Sequence, residues 1–430
     1  MTEEKSWLGE WSFEVEGIGE LKLLGTLSYS PKEKFVLEAS MESVSYDVIF
    51  NLQRINKISY IVGLDYKTQK NITLLDSILT GNHWSSSGGN SFKINPTLVI
   101  EGFYYDSTNE LLFNSMSVKY SGLNQWLRIL SEINTNIDDD DTLTLTYKRS
   151  KDIDCQIDEY LDLSIRFDYS TKQESSNETG FFLTENISTV FKSTQGELNL
   201  EIFSRYSEHL RRFLQILYYQ PAFILNSTIE KNNPSETHSL YYDQVHKRFF
   251  NNYSAHLGYL SHYRELINFP DILAKWFAYR KSDDYTYITW VASKHLFINT
   301  PFSEEVFLEN VRVLEVYHKA RYPKSSKRQE KNTHLKERLI ELLNILKTIV
   351  GQVDYDTFIN DENDFIEVVM DNRNYLTHYG ENSTTSTNIL TVPQLYKYAV
   401  KSRIVLLSLL LHDIGIDAKK TFGNLTARHM

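Results

Sequence analysis

Residues Asp371–His378 read DNRNYLTH, and this Arg-Asn-x-x-x-His segment lies between two strongly helical patterns near the C-terminus. On a helix, Asn374 and His378 share one face because they are four positions apart, and Arg373 lies one step around. A positioned histidine moves protons at neutral pH, and an arginine fork holds a phosphate and stabilises charge as it builds. These side chains are the smallest set that can cleave RNA without a metal, so the segment indicates a helical domain with a candidate site.

The alternative interpretation of the same segment is structural. His378 would only cap the C-terminal end of its helix, and Arg373 would pair with Asp371 or Glu367 on a solvated face. The residues alone leave both interpretations open.

Looser versions of the Arg-to-His spacing occur at Arg312–His318 and Arg328–His334, where we expect them to be accidental. Only the segment at Arg373 has Asn directly after Arg and three residues before His, a form expected by chance in about one chain of this length in twenty. We expect His318, three residues after Glu315, to form a polar pair buried between helices rather than to bind a metal, since no further ligand cluster follows. His334 is expected to be solvated.

On both sides of this segment, apolar residues recur at three- and four-residue steps over most of the C-terminal third, which predicts amphipathic helices. An earlier helix is predicted near Leu200–Leu217, stopped by Pro221. The candidate C-terminal helices are Ile272–Tyr279, Tyr285–Phe297, Ser303–Arg321, Leu335–Val350, Phe365–Leu376 and Pro393–Ile414.

The first 170 residues instead show short alternating runs with turn residues between them, which predicts β-strands. The candidate strands are Leu21–Ser28, Lys34–Ser40, Asp47–Leu52, Ile58–Leu64, Thr97–Tyr105, Leu111–Tyr120, Leu143–Tyr147 and Leu161–Tyr169. The Ser/Asn/Pro-rich stretch Asn226–His238 is predicted to be a loop. The expected fold is α+β and multidomain: a sandwich or barrel-like β module followed by an all-α helical bundle.

Charge is unevenly distributed along a chain whose net charge is −11. Segment 319–338 has eight cations against two anions, a net charge of +6, and it precedes the Arg/His segment by about forty residues. We expect it to contact an RNA backbone, which makes binding weaken with salt. The residues expected to make these contacts are Lys324, Lys327, Arg328 and Lys331.

Composition excludes several other classes of protein. Cys155 is the only cysteine, so internal disulfides and multi-cysteine zinc sites are excluded, and a reducing, cytoplasmic compartment fits best. Without an evident basic partner, Cys155 is not expected to be a nucleophile. The first residues lack a signal-peptide layout, and no apolar run is long enough to span a membrane. We expect no metal and no cofactor.

Three stretches together resemble a known family. The helix ending in Leu314–Glu315–Val316–Tyr317–His318, followed by the Arg373–His378 segment, resembles the HEPN superfamily, and specifically its ApeA-like branch. The opening Trp7–Leu8–Gly9–Glu10–Trp11 and the serine-rich stretch Phe113–Leu127 are similar to the ApeA N-terminal domain. The likeness spans nearly the whole chain.

The resemblance implies an organisation and an activity. Residues 1–275 would form the ApeA-like N-terminal region, β-rich over 1–170 and mixed over 171–275, and residues 280–430 would form the HEPN bundle. Such proteins are metal-independent endoribonucleases of bacterial abortive-infection defence against phage. The bundle usually forms a homodimer or a higher homo-oligomer around a shared cleft. By this resemblance Arg373, Asn374 and His378 are catalytic, Glu315 and His318 support them, and RNA is the substrate.

The competing hypothesis is that the protein is not an enzyme. The helical part would only dimerise and bind RNA or nucleotide, while the N-terminal part acts as a sensor or adaptor for a phage or host ligand. A weaker third option is a carbohydrate- or peptide-binding β module fused to a helical oligomeriser. If the protein is a nuclease, a phage-derived trigger is the expected activator.

Overall fold

The structure is a computed structural model. It describes residues 4–30, 34–41, 55–83, 90–105, 111–127, 132–137, 143–174, 180–231, 236–242, 258–294, 296, 302–324, 333–378 and 388–429. The predicted strand Asp47–Leu52 lies outside the described residues.

Most of the N-terminal part of the chain is β-structure. The strands of the described residues are β1 (Lys5–Val15), β2 (Gly19–Tyr29), β3 (Val36–Met41), β4 (Lys57–Asp65), β5 (Asn71–His83), β6 (Asn90–Asn95), β7 (Leu98–Glu101), β8 (Leu112–Phe113), β9 (Ser115–Tyr120), β10 (Glu132–Ile137), β11 (Leu143–Lys148), β12 (Ile153–Gln156), β13 (Leu161–Glu174), β14 (Gly180–Ser193), β15 (Leu198–Asn199), β16 (Ile224–Glu230) and β17 (Thr237–Tyr242).

Strands β1 to β6 form a closed barrel in the order β5-β4-β1-β2-β3-β6, because β6 pairs back with β5. Alternate residues of β1 point into its interior, where Trp7 and Trp11 are buried. The Trp11 ring lies over Gly63 on β4, where an added Cβ would be 2.3 Å from ring atom Cε3. Trp11 Nε1 donates to the carbonyl of Gly25 on β2 at 3.0 Å. The barrel-like prediction is therefore confirmed.

Strand β5 belongs to the barrel and also to the sheet that continues beyond it. Its residues 78–83 pair with β6, whereas its residues 72–75 pair with β7. The change of partner occurs near Asp76, which has φ 51°, and an irregularity follows between Leu79 and Gly81. From β7 the sheet runs on through β17, β16, β9, β14, β13 and β12.

The predicted loop Asn226–His238 is wrong where the structure describes it. Residues up to Glu230 belong to β16, which pairs with β9, and residues from Thr237 belong to β17. Local polarity is misleading because β16 presents one side to solvent and buries Ile229 on the other. Strands β1, β5, β6, β10, β12, β14 and β15 are also absent from the predicted set.

The helices of the described residues are α1 (Leu123–Leu127), α2 (Leu200–Tyr218), α3 (Phe269–Ala278), α4 (Asp283–Lys294), α5 (Glu304–Arg321), α6 (Leu335–Val350), α7 (Gln352–Ile359), α8 (Glu362–His378), α9 (Val392–Asp413) and α10 (Ala418–His429). All seven predicted helices agree with these within three residues at each end, and Leu335–Val350 agrees at both ends. The predicted helix Tyr285–Phe297 ends earlier, at Lys294. Helices α1, α7 and α10 were not expected.

Helix α2 links the strands to the helical bundle. Asn199 caps its start, its side chain accepting the Glu201 amide at 2.8 Å, and Tyr219 ends it in the left-handed region at φ 51°. One hydrophobic core runs without a break from Phe191 on β14, past Phe213 on α2, to Leu407 on α9. The chain therefore has the expected α+β architecture, a β-rich part followed by helices. No helix in the described part of the chain is both long and apolar enough to cross a membrane.

Candidate functional site

Helix α8 carries the Arg-Asn-x-x-x-His segment. Asp361 begins the helix by accepting the Asp364 amide on its side chain at 3.0 Å. Phe365 and Val369 are buried on the side that faces the core. This orientation leaves the far side of the last turns facing outward, and Arg373 lies there with its side chain 34% exposed.

Arg373 is held by two neighbours. Its Nη1 donates to Asn374 Oδ1 at 3.1 Å, and its Nη2 lies 4.0 Å from Glu315 Oε2 on α5. Glu315 also accepts from Lys319 at 2.9 Å. The structure thus brings Arg373, Asn374 and Glu315 together. The partner of the arginine is Glu315, rather than Asp371 or Glu367 as the structural interpretation expects.

His378 is the last residue of α8, one helical turn after Asn374. Its side chain lies outside the part that the structure describes. The backbone places His378 at the same end of α8 as Arg373, which is the arrangement that the spacing predicts. The roles predicted for these three residues remain predictions.

Asn372 is a residue that the sequence did not single out. It is 1% exposed, and its Nδ2 donates to the carbonyls of Val368 and Asn388, both at 2.8 Å. Its Oδ1 accepts the Leu390 amide at 2.8 Å. The side chain therefore fixes the returning chain at residues 388–390 against α8, immediately beside Arg373. Nothing in the sequence pattern shows this contact, because its partners lie 16 and 18 residues away.

His318 is completely buried between α5 and α6, and among the described residues no hydrogen bond or ion pair joins it to Arg373 or Glu315. Its Nδ1 lies 3.1 Å from Arg338 Nη1, and its Nε2 lies 2.6 Å from Glu341 Oε2. Because a guanidinium only donates, Nδ1 is the acceptor, so the imidazole is neutral and Nε2 donates to Glu341. Burial lowers the pKa of His318, against the opposing effect of Glu341. His318 is thus buried between helices as expected, but its polar partners are Arg338 and Glu341 on α6 rather than Glu315.

Most described cations of segment 319–338 already have carboxylate partners. Lys324 Nζ lies 2.8 Å from Glu341 Oε1, and Arg321 pairs with Asp413 at 3.0 Å. Arg338 is buried and contacts His318. The other three predicted RNA contacts, Lys327, Arg328 and Lys331, lie outside the described residues.

Cys155 is buried, and burial raises the pKa of its thiol to about 11. Its Sγ lies 3.2 Å from the carbonyl of Pro270. A thiol in this environment is a poor nucleophile, as the sequence predicts. Among the residues that the structure describes, no three His, Cys, Asp or Glu side chains are grouped so that they could hold a metal ion.

Two protein families match the chain. The first is described as ApeA N-terminal domain 1 and matches residues 6–276, which include the barrel, β7–β17, α2 and most of α3. The second is described as Apea-like HEPN and matches residues 308–420, which include most of α5, all of α6–α9 and the Arg373–His378 segment. No curated protein and no solved structure gave a significant match. Because the two matched regions together cover most of its length, the chain belongs to the ApeA-like HEPN family, whose HEPN-type domain is that of anti-phage defence nucleases.

Proposed function

We propose that the protein is a metal-independent endoribonuclease of anti-phage defence, with Arg373, Asn374 and His378 at its active site. The observation that carries this proposal is the position of Arg373. The arginine is partly exposed at the end of α8 and oriented by Asn374 and Glu315, inside the region that matches the HEPN family.

The chemistry uses the RNA 2′-hydroxyl as the nucleophile on the adjacent phosphorus. His378 takes the hydroxyl proton as general base, or gives a proton to the leaving 5′-oxygen as general acid. A second His378, from another copy of the chain, takes the complementary role. The products carry 2′,3′-cyclic phosphate and 5′-hydroxyl ends, and DNA is resistant because it lacks the 2′-hydroxyl.

Arg373 stabilises the negative charge that grows on the non-bridging oxygens. Its Nη1 is directed by Asn374, and its Nη2 is directed by the more distant Glu315. A carboxylate at 4.0 Å holds the guanidinium only weakly, so the fork can exchange Glu315 for a phosphate. Glu315 is a positioning residue in this scheme, and His318 acts further away by fixing α5 to α6.

RNA binding is assigned mainly to Lys327, Arg328 and Lys331. Lys324 is engaged by Glu341 at 2.8 and 2.9 Å, so its contribution requires this ion pair to open. Each phosphate contact adds to the salt dependence of binding.

The test of the proposal is cleavage of RNA in excess EDTA by the wild type and by His378→Ala. We expect cleavage by the wild type only, with cyclic-phosphate ends. The matched control is His334→Ala, because His334 is exposed and belongs to one of the looser Arg-to-His spacings. Undiminished cleavage by His378→Ala removes His378 from the mechanism, and inhibition of the wild type by EDTA contradicts the metal-independent scheme. RNA that is bound but never cut, even during phage infection, favours the adaptor hypothesis.

Two further variants separate catalysis from positioning. Arg373→Ala should lower kcat by at least about a hundredfold, which is typical for loss of one transition-state contact. Glu315→Gln should cost only a few-fold, because a partly exposed ion pair contributes about 0.2–1 kcal/mol. Equal losses in the two variants would contradict the positioning role of Glu315.

A further inference from the structure

A cluster of three basic side chains and one tyrosine lies where the end of α2 meets the last two helices. It consists of Arg403 on α9, Arg428 and His429 on α10, and Tyr219, the residue that ends α2. We call these four residues the Tyr219 cluster. Tyr219 belongs to the matched N-terminal region and Arg403 to the matched HEPN region, so the cluster lies on the contact between them. It shares no residue with the Arg373 segment.

The other three side chains converge on the phenol of Tyr219. The Tyr219 hydroxyl lies 2.6 Å from His429 Nε2. The guanidinium carbon of Arg428 lies 5.2 Å from the centre of the Tyr219 ring, and its Nη2 donates to the carbonyl of Gly258. Arg403 is close enough to lower the pKa of Tyr219, and its Nε is buried without a hydrogen-bond partner among the described residues.

Neither Arg403 nor Arg428 has a counter-charge in the described part of the chain. No described carboxylate lies within ion-pair distance of Arg403, Arg428 or His429, whereas the neighbouring Lys419 and Lys420 on α10 pair with Asp354 and Glu265. Desolvation lowers the pKa of Arg428, and desolvation with the two guanidinium charges lowers the pKa of His429. Two arginines and a histidine that meet without an acid are in an environment that favours an anion.

We propose that the Tyr219 cluster is a binding site for the phosphate group of a small phosphorylated ligand. Arginine forks match phosphate oxygens in geometry, and the buried Nε of Arg403 provides a donor that the described chain leaves unused. The Tyr219 hydroxyl and the His429 ring complete a set of donors from three elements. A phosphate bound here would bridge the N-terminal region and the helical bundle, because the side chains of the site come from the end of α2 and from α9 and α10.

The exposed ring of Tyr396 suggests how the ligand could be larger than phosphate. Tyr396 lies on the same helix as Arg403, is 49% exposed, and is close enough to Tyr219 to affect its pKa. Both pyrophosphate and a nucleoside diphosphate supply the phosphate chemistry, and only the nucleotide has a base that could use this ring.

The test is calorimetric titration of the full-length protein with pyrophosphate and, separately, with ADP. We expect saturable binding of at least one probe. Arg428→Gln should weaken it about tenfold or more, tenfold being about 1.4 kcal/mol. Tyr219→Phe, which removes only a hydroxyl, should weaken it by a smaller factor, and Lys419→Gln on the same helix should bind like the wild type. Tighter binding of ADP than of pyrophosphate would assign the site to a nucleotide, and equal binding would assign it to the phosphate alone.

Two results would overturn the proposal: no binding of either probe by the wild type, or unchanged binding by the Arg403→Gln/Arg428→Gln double variant. Thermal unfolding distinguishes lost binding from a folding defect. Each variant is compared with and without ligand, and the ligand-induced rise in Tm should disappear in Arg428→Gln whatever its own Tm. The measurement uses no RNA, so its outcome is independent of whether Arg373 and His378 cleave RNA.

Discussion

Asn372→Ala is the substitution whose effect follows most directly from the geometry. The variant loses three hydrogen bonds of 2.8 Å, to the carbonyls of Val368 and Asn388 and from the amide of Leu390. A net value of about 0.5–1.5 kcal/mol for each bond gives about 3 kcal/mol in total. Val368 keeps its helical partner, and the half-buried groups at 388 and 390 regain some water, so we expect a loss of about 2 kcal/mol.

The free energy of unfolding should be measured by urea denaturation, and the exchange of the Leu390 amide by hydrogen–deuterium exchange. The amide should exchange at least about tenfold faster in Asn372→Ala, since each 1.4 kcal/mol of lost protection is a factor of ten. Asn388→Ala is the comparison variant. It keeps the backbone carbonyl that Asn372 uses and loses the longer 3.3 Å bond from Asn388 Nδ2 to Asp371 Oδ2, so it should lose less stability than Asn372→Ala. Unchanged stability together with unchanged Leu390 exchange would refute the assignment of Asn372 as the residue that fixes this chain segment.

Three further outcomes are expected. Burial lowers the pKa of His209 to about 3 from its usual 6.5. Between these two values the unfolded chain therefore binds one more proton than the folded chain. As the pH is lowered from 6.5 to about 3, the free energy of unfolding should fall by about 1.4 kcal/mol per pH unit. His209→Gln should flatten that slope, and a slope identical to the wild type would exclude His209 as its source. Gly63→Ala should destabilise the barrel by about 1–3 kcal/mol in thermal unfolding, because its Cβ would overlap the Trp11 ring, whereas Gly81→Ala, whose nearest contact is 3.5 Å, should be tolerated. Cys155 should react slowly with a thiol reagent at pH 8 until the protein is unfolded, and rapid stoichiometric labelling of the folded chain would contradict its raised pKa.

The sequence predicted the helical part best, because its signals are local. In α6 the apolar period runs unbroken from Leu335 to Val350, and Gly351, with φ 93°, ends it. These features depend on neighbours within one or two turns, and so both ends of the helix could be placed.

Strand predictions failed where pairing at long range outweighs local polarity. Residues such as Asn226 and Thr228 resemble a loop in the sequence, yet they pair with Lys119 and Ser117 on β9. Asp76 interrupts the apolar pattern of β5 at the point where the strand changes its pairing partner from β7 to β6. A local sequence pattern cannot indicate a pairing strand that lies a hundred residues away.

The candidate site was predictable as a motif and unpredictable as a set of contacts. The spacing within α8 identified Arg373 and Asn374 as neighbours on one helix, and the structure adds their hydrogen bond. The partner Glu315 and the anchor Asn372 depend on how α5 and the returning chain pack against α8. Arg338 is a further case, since its burial against His318 cannot be inferred from a cation in a basic segment.

Strand β5 has a consequence for how the barrel could be exchanged between proteins. One half of this strand closes the barrel by pairing with β6, and the other half pairs with β7. The opposite edge of β7 pairs with β17. A fragment cut after residue 95 would expose an unpaired strand edge, a template for association with other chains. The barrel is therefore not a portable module: the sheet continues from β7 through β17 to β16, and β17 lies more than 130 residues further along the chain, so a transplanted barrel leaves an open edge wherever this sheet is cut.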